Sequence, residues 1–261
     1  MKLWIIFILQ YCSSYHVNYN IYHNNKRKIL FFMSKKNLLE AISKDISVSL
    51  RSECKSLIWK DDYENSGGGS GASVGIVVNI DTKQEYFVKK VNNLFGYHML
   101  HSEYHGILEI YDTNTIRVPK PITVGTSDYE SYVVFEKVSL GGISNPELMA
   151  RKLSQMHHFY SPNNMFGWKM NNTCGATIQI NNYTPTWSEF WDKYRLGHIL
   201  HLAKQDGAVF PKENELRQKV KTILDQHECK PSLVHGDLWS GNQGYTTNGD
   251  PIIFDPALYV S

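Results

Sequence analysis

The chain has 261 residues, 42% of them hydrophobic and 13% aromatic, enough to bury a real core in one or two domains. A formal net charge of +2, with no run of five or six like charges, is too mild to mark a nucleic-acid surface. Cys12, Cys54, Cys174 and Cys229 form no C-x-x-C pair and no metal-ligand spacing, so they read as reduced thiols rather than a disulfide framework.

Residues 1–32 differ from the rest. The apolar run at residues 3–9 is too short to span a bilayer and sits at the lower limit for a signal-peptide core. The polar, tyrosine- and asparagine-rich stretch behind it ends in basic residues just before Met33. A disordered leader, or translation beginning at Met33, is therefore expected for residues 1–32, with neither secretion nor a membrane span.

Beyond Met33, "LLEAISKDISVSL" spaces Leu38, Leu39, Ile42 and Ile46 as one face of a helix. "CKSLIW" is a short strand, and "ENSGGGSGAS" a glycine loop. "VGIVVNI" and "EYFVKKV", separated by a turn, read as a β-hairpin of β-branched and aromatic runs. Helical periodicity follows through Leu100, Tyr104, Ile107 and Leu108, then two more strands, "VPKPITVG" and "SYVVFEKV", the first entered through prolines. After "SLGG" the pattern turns mainly helical, in "NPELMARKLSQMHHFY", "TWSEFWDKYRLGHILHLA" and "ENELRQKVKTILDQH". A sheet-rich half followed by a helical half predicts an α+β fold of two lobes joined near residues 137–142.

Glycines 67, 68 and 69 open no dinucleotide motif, because a strand and not a helix follows them, and the Gly-Lys-Ser/Thr of a Walker loop is missing. What remains is a glycine-rich hairpin whose amides can approach phosphates unhindered by Cβ atoms. In the next strand Lys89 and Lys90 point to opposite faces, and alternation alone does not choose between them. Glu103, on the following helix, is available to hold whichever faces a phosphate.

"LVHGDLWSGN", residues 233–242, fits H-x-D-L-x-x-x-N, the catalytic loop of kinases, with His235, Asp237, Leu238 and Asn242 in place. The chemistry explains the spacing: Asp237 reaches a substrate hydroxyl and accepts its proton, while Asn242 supplies an oxygen to a metal on the phosphates. Asp255 in "IIFDPA", thirteen residues on, supplies the second hard oxygen that Mg²⁺ favours. Gly236 stands where protein kinases carry an arginine, and Pro-Ala replaces Phe-Gly after the aspartate, which points to a small-molecule kinase of the aminoglycoside and choline kinase type.

"SGGGSGAS", "YFVKKV", "NTIRVPKPI", "VVFEKV", "LSQMHH", "NTCGATIQINNYTPTWSEFW", "HGDLWSGN" and "IIFDPA" run in the order seen in the fructosamine kinase, or ketosamine-3-kinase, family, and the resemblance covers roughly residues 38–257. It implies a two-lobe, protein-kinase-like fold: a nucleotide-binding lobe at residues 33–138, an antiparallel sheet with one helix, and a mainly helical catalytic lobe at residues 139–261. It implies ATP- and Mg²⁺-dependent phosphorylation of the sugar 3-hydroxyl of ketosamines, small or protein-bound. The phosphorylated adduct then releases the free amine, which amounts to deglycation in the cytoplasm.

Residue by residue, Lys89 resembles the phosphate-binding lysine, Glu103 its partner, and Gly67, Gly68, Gly69 and Ser70 the phosphate loop. Glu136, Lys137 and Val138 resemble the adenine-binding hinge, Asp237 the catalytic base, and Asn242 and Asp255 the metal ligands. Trp239 either stacks on the sugar or packs beneath the loop. Ser70 stands where many relatives have cysteine, which argues against thiol control of that loop. His98, His101 and His105 are expected to face solvent, and Trp187, Phe190, Trp191 and Tyr194 to form helix core, partly lining the sugar pocket.

The sequence stops at Ser261, six residues after Asp255, where family members continue for several helices. An incomplete C-terminal lobe with poor solubility or weak activity is expected. The alternatives are a truncated form that binds nucleotide without transferring phosphate, and a kinase for another small hydroxyl compound. Oligomeric state is left open.

Overall fold

The computed structural model describes residues 26–60, 71–93, 96–128 and 130–261, with side chains from residue 37 onward. Most of the 1–32 leader, Cys12, and Gly67 to Ser70 of the glycine loop lie outside the described residues.

Helix α1 (Lys26–Leu50) begins upstream of Met33, inside the segment expected as leader. Leu38, Ile42 and Ile46, at successive four-residue steps, are essentially inaccessible to solvent, so one stripe of the helix is core. The helix stops where Arg51 turns to φ 49°, and the Ser52 amide reaches back to the Ser47 carbonyl. Ser43 and Ser47 then fasten the helix to the backbone of Cys54, just before the first strand.

Five antiparallel strands follow the predicted order: β1 (Leu57–Trp59), β2 (Ser73–Asn79), β3 (Glu85–Val91), β4 (Pro121–Ser127) and β5 (Glu130–Glu136). They form one sheet in the order β1-β2-β3-β5-β4. The β2–β3 hairpin turns on Asn79, whose side chain accepts from the Asp81 and Thr82 amides. Pro121 sits at the entry of edge strand β4, beside a register shift, where its missing N–H costs no ladder bond.

Helix α2 (Gly96–Asp112) joins β3 to β4. The sheet thus has two helices, one on each face, rather than the single helix expected. One core cluster holds α1 against the sheet through Leu38, Ile42, Val77, Val88, Tyr132 and Val134. The other packs Leu100, Ile107 and Ile110 of α2 with Val133 and Phe135, and continues through Met149, Met156, Ile253, Leu258 and Val260. That second cluster joins residues on both sides of the boundary expected at residues 138–139.

The second half contains α3 (Pro146–Met156), the hairpin β6 (Asn172–Cys174) and β7 (Thr177–Gln179), α4 (Trp187–Phe190), α5 (Gly197–Gln205) and α6 (Glu213–Asp225). Asn145 caps α3 through the Leu148 amide, with Pro146 at the first turn. The stretch predicted as one helix from "TWSEFW" onward is interrupted by a π-helical segment, Trp191–Leu196, between α4 and α5. Short strands β8 (Leu233–Val234), β9 (Gln243–Tyr245), β10 (Pro251–Ile253) and β11 (Tyr259–Val260) frame the signature loop, pairing β9 with β10 and β8 with β11. No described helix is long and apolar enough to cross a membrane.

Candidate active site

A cavity of about 430 Å³ opens between the sheet and the β9–β10 hairpin. Its apolar wall comes from Val74 and Ile76 of one β2 face and Ala72 just before that strand, with Phe87, Ile252 and Phe254. Its polar floor holds Lys89, Glu103, Asn242 and Asp255, and its rim Glu136, Lys137 and Val138. An apolar slot with convergent charges at one end suits a base and its phosphates.

The two strand lysines are resolved by their partners. Lys89 Nζ donates to Glu103 at 2.8 Å and to Asp255 at 2.7 Å, inside the cavity. Lys90 points the other way and pairs with Glu130. Burial opposes the charge on Lys89, but the two carboxylates outweigh it and raise its pKa. Burial pushes Glu103 up to about 7 against the pull of Lys89. Asp255 feels burial too, yet Lys89 holds its carboxyl below the usual range.

The signature loop is built around a buried histidine. His235, 2% exposed, donates from Nε2 to the Phe254 carbonyl at 3.0 Å and accepts the Asp237 amide on Nδ1 at 3.3 Å. A neutral ring satisfies both bonds, and burial drives its pKa down to about 4. His235 therefore ties the signature loop to the Asp255 loop through both ring nitrogens. Asn242 completes the join, donating Nδ2 to the Asp237 carbonyl at 2.9 Å and to its carboxylate at 3.3 Å.

Backbone geometry explains two further choices. Gly236 has φ +82°, and a Cβ there would collide with the Ala257 carbonyl. The arginine of protein kinases is excluded at this position on both counts. Asp255 is itself at φ +57°, ahead of a proline that disfavours the helical region. Such strain in a non-glycine residue is retained where the side chain has a task.

Asp237 has its pKa raised by burial and by Asp255, with Asn242 pulling it back. Asn242 donates its amide nitrogen to the loop, which leaves its oxygen as a donor for a cation beside the Asp255 carboxylate. This hard-oxygen pair, open to phosphate oxygens and water, fits Mg²⁺.

At the rim, the Glu136 side chain turns to Arg117 (2.9 Å) and the Lys120 amide (3.1 Å), and its own amide donates to the Lys120 carbonyl. That amide is thereby withdrawn from nucleotide contact, and Lys137 and Val138 line the cavity beside it. Trp239 is 59% exposed, so it does not pack beneath the loop; its ring covers Gly241 at the cavity edge.

Two expectations change. His98 faces solvent, but His101 and His105 are half-buried with their rings in contact. Of the aromatic segment only Phe190 is fully buried, stacking with Trp187 and Tyr259, while Trp187, Trp191 and Tyr194 are half-buried rather than core. Three features escaped the sequence. The β2 wall was legible in principle, since Ala72, Val74 and Ile76 alternate onto one face. The structural role of His235 and the position of Arg195, whose guanidinium lies over both Phe190 and Tyr259, depend on contacts far apart in the chain. Cys54, Cys174 and Cys229 are free thiols.

Comparison with known proteins places this geometry. The profile of the fructosamine kinase family matches residues 42–261. The Synechocystis sp. protein "Probable ketoamine kinase" is 40% identical over 182 residues, covering 69% of this chain and 61% of that protein. The chloroplastic protein-ribulosamine 3-kinase of Arabidopsis thaliana is 36% identical over 198 residues, covering 74% of this chain and 61% of that protein. The chain thus spans about 61% of the length of these curated relatives. Among solved structures, one from Haemophilus somnus described as a fructosamine-3-kinase superposes with a TM-score of 0.75 at 24% identity, covering 89% of this chain and 75% of that one, which establishes the shared fold. A kinase-like sheet lobe, the paired Lys89 and Glu103, the HGDLWSGN loop and a family match across most of its length identify this chain as a member of the fructosamine kinase family.

Proposed function

We propose that this chain carries the catalytic apparatus of an ATP-dependent ketosamine-3-kinase. The observation that carries the reading is the convergence of Lys89, Glu103 and Asp255 within 2.8 Å contacts, with Asp237 tied alongside through Asn242. Lys89, held by Glu103, would bind the nucleotide phosphates together with Gly67, Gly68, Gly69 and Ser70. Glu136 to Val138 and the β2 face would hold the adenine. Asn242 and Asp255 would hold Mg²⁺, which when bound neutralises charge on the phosphates.

Asp237 would orient the acceptor hydroxyl and take its proton as the sugar oxygen attacks the γ-phosphorus, the bond to the β–γ bridging oxygen breaks and ADP leaves. Burial and the nearby Asp255 raise the Asp237 pKa, the direction that makes a carboxylate a better proton acceptor. Trp239, exposed at the cavity edge, is positioned to stack on the sugar ring. The acceptor would be a fructosamine or ribulosamine adduct, free or on a protein, and its 3-phosphate would break down to release the amine. The cytosol supplies the ATP and the reducing conditions that free thiols need.

The test is ATP- and Mg²⁺-dependent phosphorylation of ribulose-lysine and fructose-lysine, with choline and an aminoglycoside as competing acceptors. Turnover on a ketosamine that is lost in Asp237→Ala, with ATP binding retained, is the expected result. Turnover only on choline or the aminoglycoside overturns the substrate assignment, and ATP binding without any turnover overturns the enzymatic one.

A further inference from the structure

We propose that His101 and His105 form a site for a divalent transition-metal cation, bridging one turn of α2 on its outer side. The two residues stand four apart, so the helix places them on one face. Their Nε2 atoms lie 3.2 Å apart, with ring centroids 4.4 Å apart. Two imidazole nitrogens facing each other can share only one proton, so with both rings neutral one nitrogen must donate to the other.

The separation matches the bite of a metal ion. With metal–nitrogen bonds of about 2.0–2.1 Å, two ligands sit about 3.3 Å apart at the tetrahedral angle and about 2.9 Å apart at a right angle. The observed 3.2 Å falls between them. Binding requires both rings to carry their proton on Nδ1, so that each Nε2 turns a lone pair to the cation; the rings themselves are bracketed, with Tyr97 5.2 Å from His101 and Tyr104 5.4 Å from His105.

The surrounding charges permit a cation. Lys169 approaches His105 but is paired with Glu109 at 2.9 Å, so the two nearly cancel, and the exposed His98 lies one turn earlier. Among the described residues no group of three His, Cys, Asp or Glu side chains is assembled to hold a metal. The pair would therefore supply two ligands and leave the other positions to water or to an outside donor. Imidazole nitrogens favour Cu²⁺, Ni²⁺ and Zn²⁺ over Mg²⁺, so this site is chemically distinct from the hard-oxygen pair of Asn242 and Asp255. Glu103 sits between the two histidines in sequence and faces inward onto Lys89, so a cation here would brace the turn that carries it.

The test is calorimetric titration of Ni²⁺ into tag-free full-length chain in the presence of excess Mg²⁺, repeated on His101→Ala, His105→Ala and His98→Ala. Melting curves check that each variant is folded. One strong site in the wild type is expected, weakened about tenfold or more in either of the first two variants and unchanged in His98→Ala. Wild-type affinity in His105→Ala, or displacement of Ni²⁺ by Mg²⁺, would overturn the assignment. The readout is binding alone, so the result is independent of the kinase reading.

Discussion

Lys89 and Asp255 are 166 residues apart in the chain, and the ammonium of one lies 2.7 Å from a carboxylate oxygen of the other. This contact separates two adjacent lysines of nearly equal burial, 7% exposed for Lys89 and 8% for Lys90. Lys89→Met should lower kcat/KM by about 10²–10³-fold, the cost of losing one fixed charge at developing phosphate charge. Lys90→Met should leave Mg-ATP affinity near wild type while lowering stability by about 3–5 kcal/mol, since it breaks the buried Lys90–Glu130 ion pair. Steady-state kinetics and urea melts on both variants check the contrast; reversed phenotypes would reassign the phosphate lysine.

Gly236→Ala tests the backbone at the catalytic loop. A φ of +82° disfavours any side chain, and the Ala257 carbonyl occupies the space a Cβ needs. We expect a loss of about 2 kcal/mol or more, with kcat falling as Asp237 is displaced. A variant with wild-type melting temperature and turnover would show that the loop relaxes freely.

His235 makes stability depend on acid. Its pKa falls from about 6.5 to about 4 on folding, so between those values the unfolded chain binds a proton that the folded chain refuses. The contribution is complete above about pH 6.5 and is lost progressively as pH falls toward 4. By pH 5 the loss should amount to about 2 kcal/mol, from about 1.5 pH units at 1.36 kcal/mol each. Comparing urea midpoints at pH 7 and pH 5 for wild type and His235→Asn isolates this slope; equal slopes in the two chains would refute it.

Ile42→Ala asks whether α1 belongs to the fold. Ile42 is 0% exposed in the cluster beneath the sheet, so its truncation should cost about 2–5 kcal/mol. A negligible change would mean that the helix can leave the sheet without consequence.

The sequence revealed those parts of the fold whose physics is local. The five strands and α2 were legible because alternation and helical spacing reflect burial by a single neighbouring face. Asp237, Asn242 and Asp255 were legible because one short loop and one strand end fix them. Alternation was uninformative at Lys89 and Lys90, because both sheet faces are covered and each lysine has its own buried carboxylate. The π-helical segment was hidden because its extra residue barely disturbs the apolar spacing through Trp187, Phe190, Trp191 and Tyr194. The contact between His101 and His105 was equally hidden, since helical spacing gives a shared face but not the rotamers.

The two core clusters also differ in when they can be completed. The one beneath α1 draws only on residues from Leu38 to Val134. The one on the opposite face draws on residues from Ala72 to Val260. During synthesis, therefore, one side of the sheet can be finished while more than a hundred residues are still to come. On the other side Val133 and Phe135 find α2 already made, but the cluster they belong to closes only once Leu258 and Val260 have left the ribosome. A nascent chain in that interval carries an apolar cluster that α2 covers only in part, the kind of surface that recruits chaperones and invites aggregation.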